Sequence, residues 1–414
     1  MAAGVLAAMT CALRLASGAV TTYDAGVTAT AGARTDVTIP GVLEDVELEP
    51  RLGLGWMDGR DELGAQYGPR LALESYDSTV QVLHRASLTG ARQLTGRWRG
   101  TASLGGSYGT NDLLLPGALP AVGGTTAPGQ TGTTQPGQTG TTQPGQTTPS
   151  TGTAATLQPL PSVTRLKYLS GEADLGLAGT PAPRCRLLAS LSAFTSGGAD
   201  PVARQSLPLQ RGLSLGGTLE WTARPADVLA SSVGATVTFF EPTLAGGFLQ
   251  ATETWRHNLS EHAQLELGAG PAITAHRPAG GPTSWAFGPA GAIGITDQWF
   301  GTLNVGAALS ATPVVDQVSG AVYDRADASA SVGWRIVPGL TTAVLGTAGV
   351  VMQGAQEGDK IAAGDVHIAW TPSLHWDLSA GAHALLQQTH ATGPNAVSAE
   401  GVYVAVGVHD HGNL

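Results

Sequence analysis

Few side chains in this sequence have types and spacing that suit chemistry. His367, His375 and His383 share neighbouring stretches with Asp365 and Asp377. A histidine beside a carboxylate is the pairing a general base needs. His375 and Asp377 are two positions apart, so an extended chain puts them on one face. No nucleophile elbow, phosphate loop or zinc signature accompanies them. They read as solvated residues, and the chain reads as a non-enzyme with no catalytic, cofactor or metal residues. His409-Asp410-His411 has the donors for a metal ion but reads as a tail beside the chain end. Arg97, Arg99, Arg184 and Arg186 form a second concentration. They suit either an anion-attracting vestibule or ion pairs to Glu172 and Asp174 on the strand between; the pairing is the expected outcome.

Composition narrows what could position such groups. The chain has 414 residues, 42% hydrophobic but only 13% charged, with 58 glycines and a net charge of −10. Nucleic acid is excluded as a partner, because neutralising phosphates takes clustered Lys and Arg. Only Lys167 and Lys360 are lysines. Residues 1–19 are apolar and end in Ser17-Gly18-Ala19, so they read as a signal peptide. Cys11 lies inside that segment, leaving Cys185 without a partner. No later apolar run reaches 18 residues, the length a spanning helix requires.

From about residue 20 the chain alternates between apolar and polar positions. Leu213, Leu215, Leu219 and Trp221 oppose Ser214, Thr218, Glu220 and Thr222. Ala326, Ala328, Ala330, Val332 and Trp334 oppose Arg325, Asp327, Ser329, Ser331 and Arg335. A period of two predicts strands. About eighteen such segments are counted, or sixteen if two fail. From the seventh segment on, the connections alternate in length. Ser196–Leu209, Ala311–Ala321 and Gln353–Lys360 are long; Val337-Pro338-Gly339 and Thr371-Pro372-Ser373 are short. Residues 110–163 form a long low-complexity loop with a tandem Pro-Gly-Gln-Thr-Gly-Thr-Thr-Gln repeat. The repeat has neither apolar nor charged anchors and reads as a solvated excursion.

The tryptophans follow the turns. Trp56, Trp98, Trp221, Trp255, Trp299, Trp334, Trp370 and Trp376 fall at the short-turn ends of their strands. Trp285, Tyr76, Tyr108, Tyr168 and Tyr323 fall at the other ends. Indole and phenol rings favour the level where hydrocarbon meets water, so the two sets predict aromatic girdles. The polar face would then line an interior holding Arg51, Arg70, Arg85, Arg97, Arg99, Glu172, Asp174, Arg184, Arg186, Glu220, Glu266, Arg325, Asp327 and Arg335. Glu253 shares the face of Leu249 and Trp255 and is expected near a headgroup.

On these features, residues 20–414 resemble bacterial outer-membrane β-barrels of the porin-like kind. The resemblance rests on the dyad repeat, the turn asymmetry and the girdle residues. One departure is the last residue, Leu414, where such barrels usually close on an aromatic. The resemblance implies an all-β, closed, up-and-down antiparallel transmembrane barrel in the outer membrane of a Gram-negative bacterium. It implies long loops outside and short turns in the periplasm. Membrane lipid and small polar solutes or ions are the implied partners, the latter diffusing passively through a water-filled lumen. The alternative is a scaffold barrel that encloses or docks a partner protein, such as an electron-carrying cytochrome or a lipoprotein.

Overall fold

The computed structural model describes residues 20–35, 42–75, 77–112, 165–240, 244–278, 280–315, 322–353, 357–373, 375–388 and 397–413. Residues 1–19, expected to be a signal peptide, and most of the loop at 110–163 lie outside them; of that loop, residues 110–112 extend a strand.

Among the described residues, nineteen strand segments make one antiparallel sheet. They are β1 (Val20–Thr35), β2 (Val42–Asp58), β3 (Asp61–Tyr67), β4 (Arg70–Glu74), β5 (Asp77–Thr95), β6 (Trp98–Asp112), β7 (Arg165–Ala182), β8 (Cys185–Gly198), β9 (Gln210–Arg224) and β10 (Asp227–Phe240). There follow β11 (Leu244–Asn258), β12 (Ala263–Arg277), β13 (Ser284–Trp299), β14 (Leu303–Val315), β15 (Val322–Val337), β16 (Leu340–Gln353), β17 (Lys360–Ser373), β18 (Trp376–Gln388) and β19 (Val397–Asn413). β3 and β4 run end to end between β2 and β5, so the wall has 18 staves. The break falls at Gly68-Pro69, where proline has no N–H to give the ladder. Gly68 keeps its own bond to the Arg85 carbonyl, 3.0 Å.

The sheet closes when β19 pairs with β1, from Thr22↔Asn413 to Arg34↔Gly401. Closure follows from solvent: hydrocarbon offers no partner to a backbone N–H or C=O, so no sheet edge survives there. His409-Asp410-His411 belongs to this seam, opposite Gly26, Ala25 and Asp24. The expected chain-end tail is instead part of the closing strand β19.

Burial alternates most clearly along β9 and β10 and reports the sidedness. Leu213, Leu215 and Leu219 of β9 are exposed, whereas Gln210, Thr218 and Glu220 are buried. The exposed set faces lipid, where apolar side chains cost nothing to leave uncovered. Tight turns gather at the end holding the start of β1 and the end of β19. At one of them Phe300 and Gly301 take φ of 53° and 67°, the left-handed pair a two-residue hairpin loop demands.

Candidate functional site

The inner wall carries ion pairs, some between adjacent staves and some across an intervening one. Asp24 on β1 meets Arg51 on β2 at 3.1 Å. On the next staves Arg70 is forked onto Glu47, with Nε donating at 2.9 Å. Arg85 reaches Glu49 at 3.3 Å, and Arg99 reaches Glu62 at 2.6 Å. Further round, Glu220 on β9 lies between Arg186 on β8, at 3.6 Å, and Arg256 on β11. Glu266 stands opposite Arg256 in the β11–β12 register. Arg325 is fully enclosed and holds Asp327 at 2.9 Å. Arg186 and Glu220 are directly opposite across β8 and β9, the spacing at which side chains on one face meet; Arg85–Glu49, Arg99–Glu62 and Arg256–Glu220 reach over an intervening stave, and Arg325–Asp327 lies within β15.

Two arginines expected on this wall are elsewhere. Arg97 sits in the β5–β6 turn and Arg184 in the β7–β8 turn, both exposed. Arg335 lies at the short-turn rim, donating to the Gly301 carbonyl at 3.0 Å. The expected pairing of this cluster with Glu172 and Asp174 is not formed. Arg99 and Arg186 take Glu62 and Glu220, while Asp174 accepts from Ser103 at 2.8 Å and Ser192 at 2.5 Å. A hydroxyl reaches across one stave with less side-chain entropy to lose than an arginine.

The eight tryptophans of the short-turn end all fall in the outward parity. Six are anchored or exposed in ways that suit an interface. Trp221, Trp299, Trp334, Trp370 and Trp376 are exposed, and Trp255 donates to Asp227 at 3.0 Å. Trp56 and Trp98 are half-buried, and the Trp98 ring lies over Gly179 of β7. At the opposite end, Trp285 and Tyr108 are exposed to the outside. Tyr168 and Tyr323, expected in the outer girdle, are instead 1% exposed and face inward. Tyr168 shares the parity of Glu172 and Asp174, so an outward position was never open to it. Tyr76 lies outside the described residues. Glu253 does face out, accepting from Ser231 of β10 at 2.7 Å.

Those two tyrosines centre apolar patches inside the barrel that the alternation did not reveal. Tyr168 packs with Leu83, Leu166, Ala203 and Leu207. The last two come from the β8–β9 connection, whose short helix α1 (Ala203–Ser206) therefore lies against the inner wall. Asp200 fastens this segment, accepting from the Ala203 N–H at 2.9 Å. That bond, with Lys167 nearby, holds the Asp200 carboxyl below the usual carboxylate range. Tyr323 packs with Val351 and Ile361, against Val314 and Leu385. A readable signal existed: Leu166, Leu83 and Val351 are apolar residues in the polar parity.

The histidines separate. His367 Nδ1 lies 3.2 Å from Asp365. His375 does not engage Asp377; its Nδ1–H donates to the His409 carbonyl at 3.1 Å, and Asp377 pairs with His409 at 3.2 Å. Asp24, Glu62 and Tyr403 are lumen residues that the alternation did not single out. Tyr403 stands between Val402 and Val404, which are 57% and 58% exposed to the outside, so it faces in.

The fold is similar to that of OpdK from Pseudomonas aeruginosa, solved with vanillate: TM-score 0.50 and 10% identity, covering 95% of this chain and 99% of that one. It is also similar to the FrpB iron transporter from Neisseria meningitidis: TM-score 0.50 and 7% identity, covering 94% and 82%. No curated protein matches the sequence. The protein has the closed-barrel fold of these proteins. The EpsX exopolysaccharide export family matches residues 12–285, two thirds of the sequence. The chain belongs to the EpsX exopolysaccharide export family.

Proposed function

We propose that the barrel is an outer-membrane conduit whose water-filled lumen passes hydrophilic carbohydrate outward, with ions and small polar solutes diffusing through the same path. The observation that carries this reading is the pairing of an export-family match with an inner wall of ion pairs and hydroxyls. Sugars and water exchange hydrogen bonds with such a wall on nearly equal terms, so a glycan loses little on leaving water. A wall of 18 staves is also within the range that encloses an aqueous channel.

The purified protein in planar bilayers tests the proposal. Stepwise ionic current is expected, together with release of a labelled dextran oligomer from proteoliposomes. A silent barrel that retains the dextran overturns the conduit and favours a scaffold that holds a partner.

A further inference from the structure

Inside the barrel, five adjacent staves bring an unusual set of side chains together. β17, β18, β19, β1 and β2 are consecutive neighbours in the wall. Asp365 on β17 is in register with His383 on β18, and His383 with Gly401 on β19. Gly401 is in register with Arg34 on β1. One step along, His367 is opposite Gly381, Gly381 opposite Tyr403, Tyr403 opposite Gly32, and Gly32 opposite Asp45 on β2. All the side chains in these two rows share the inward parity.

Glycines make the space. A Cβ on Gly381 would stand 2.6–2.7 Å from Cζ, Oη and Cε1 of Tyr403, so the phenol end takes up the space a side chain there would fill. A Cβ on Gly401 would stand 2.7 Å from the His383 ring and 3.2 Å from Arg34 Cβ. A Cβ on Gly32 would stand 3.1 Å from an Asp45 carboxylate oxygen. The wall is thus indented at three points, and in each indentation a functional side chain lies down rather than projecting into the lumen. Tyr403 remains partly exposed there.

An aromatic ring laid along a wall presents its face to the C–H groups of a sugar ring. Carboxylates accept from sugar hydroxyls, while guanidinium and imidazole donate to them. A ring face bordered by a few convergent polar groups is the composition of a small-molecule site. We propose that Tyr403, with Asp365, His367, His383, Arg34 and Asp45 around it, is a saccharide subsite on the lumen wall. It holds one or two sugar residues of a passing glycan, weakly enough to release them. This assignment rests on the conduit reading above.

The test is single-channel current through the full-length protein with maltohexaose or a hexameric uronic-acid oligomer added. Wild type is expected to show transient blockades with at least one of the two. Tyr403→Ala should shorten their residence at least tenfold, and Tyr403→Trp should preserve it. Asp365→Asn should shorten it severalfold. Heat-modifiable gel migration shows that each variant is folded, and Tyr403→Phe supplies a second, more conservative variant that should still block. Absence of current steps overturns the conduit and the subsite together. Normal steps with no blockade by either oligomer, or blockades insensitive to Tyr403→Ala, overturn the subsite and leave the conduit standing.

Discussion

Replacing Arg70 by methionine asks whether the lumen ion pairs hold the wall or merely decorate it. At the Nε–Oε2 separation of 2.9 Å, two unit charges attract by about 6 kcal/mol at an effective dielectric of ~20. Desolvation of both partners takes back much of that. The Arg70 and Glu47 side chains are only 8% and 15% exposed, so this pair behaves as a buried one. Removing Arg70 strands the Glu47 carboxylate in place. Glu49, 3.9 Å from Arg70, still has Arg85. The expected cost is about 3 kcal/mol, the low end for breaking a buried pair, because Glu47 is still 15% exposed. Urea unfolding of the protein in lipid vesicles, followed by tryptophan fluorescence and gel mobility, measures it. The double variant Arg70→Met/Glu47→Gln should recover to within about 1 kcal/mol of wild type, since no charge is then left unpaired. The reasoning fails if the single variant costs less than about 0.5 kcal/mol, or if the double is no better than the single.

Further outcomes follow from sidedness and from the inward-folded connection. Leu215→Arg puts a cation on the lipid face near mid-strand and should cost about 2–4 kcal/mol in the same unfolding assay; Ser214→Arg, one residue away on the wet face, should cost less than about half that. Leu207→Ala empties a site that is 2% exposed and should weaken the α1 segment by about 2–3 kcal/mol, seen as faster proteolysis within 199–209 with the barrel's gel mobility unchanged. Asp200 titrates below its ordinary value because the folded segment binds its charged form. Its contribution is therefore present above about pH 4 and lost as pH falls through the lowered value. Proteolysis of the segment should rise with acidification, and Asp200→Asn should remove that pH dependence.

The barrel was readable because each strand has one face against lipid and the other against water, and that contrast writes a period of two into every stave. Leu213 to Trp221 could be assigned to the outside from alternation alone. The errors have separate causes. Tyr168 and Tyr323 were placed in the outer girdle from their position along the strand, although their parity pointed inward. Leu207 gave no periodic signal, since its partners Leu83, Leu166 and Tyr168 come from strands distant in sequence. Arg97 and Arg184 were displaced by turns that fell a residue or two from the expected points. The Tyr403 row could be traced by parity, but not its neighbours, because which staves adjoin at the closing seam depends on the whole register.

The seam has a consequence for how the molecule is made. Tyr23 donates to Asp410 at 3.0 Å across 387 positions of sequence. The first stave to leave the ribosome must therefore wait for the last before its outer hydrogen-bonding groups are satisfied. Until then both rims of the growing curtain stay adhesive, and a lone strand edge in oil is untenable. Something must chaperone those rims, or insertion must be delayed until the final hairpin arrives.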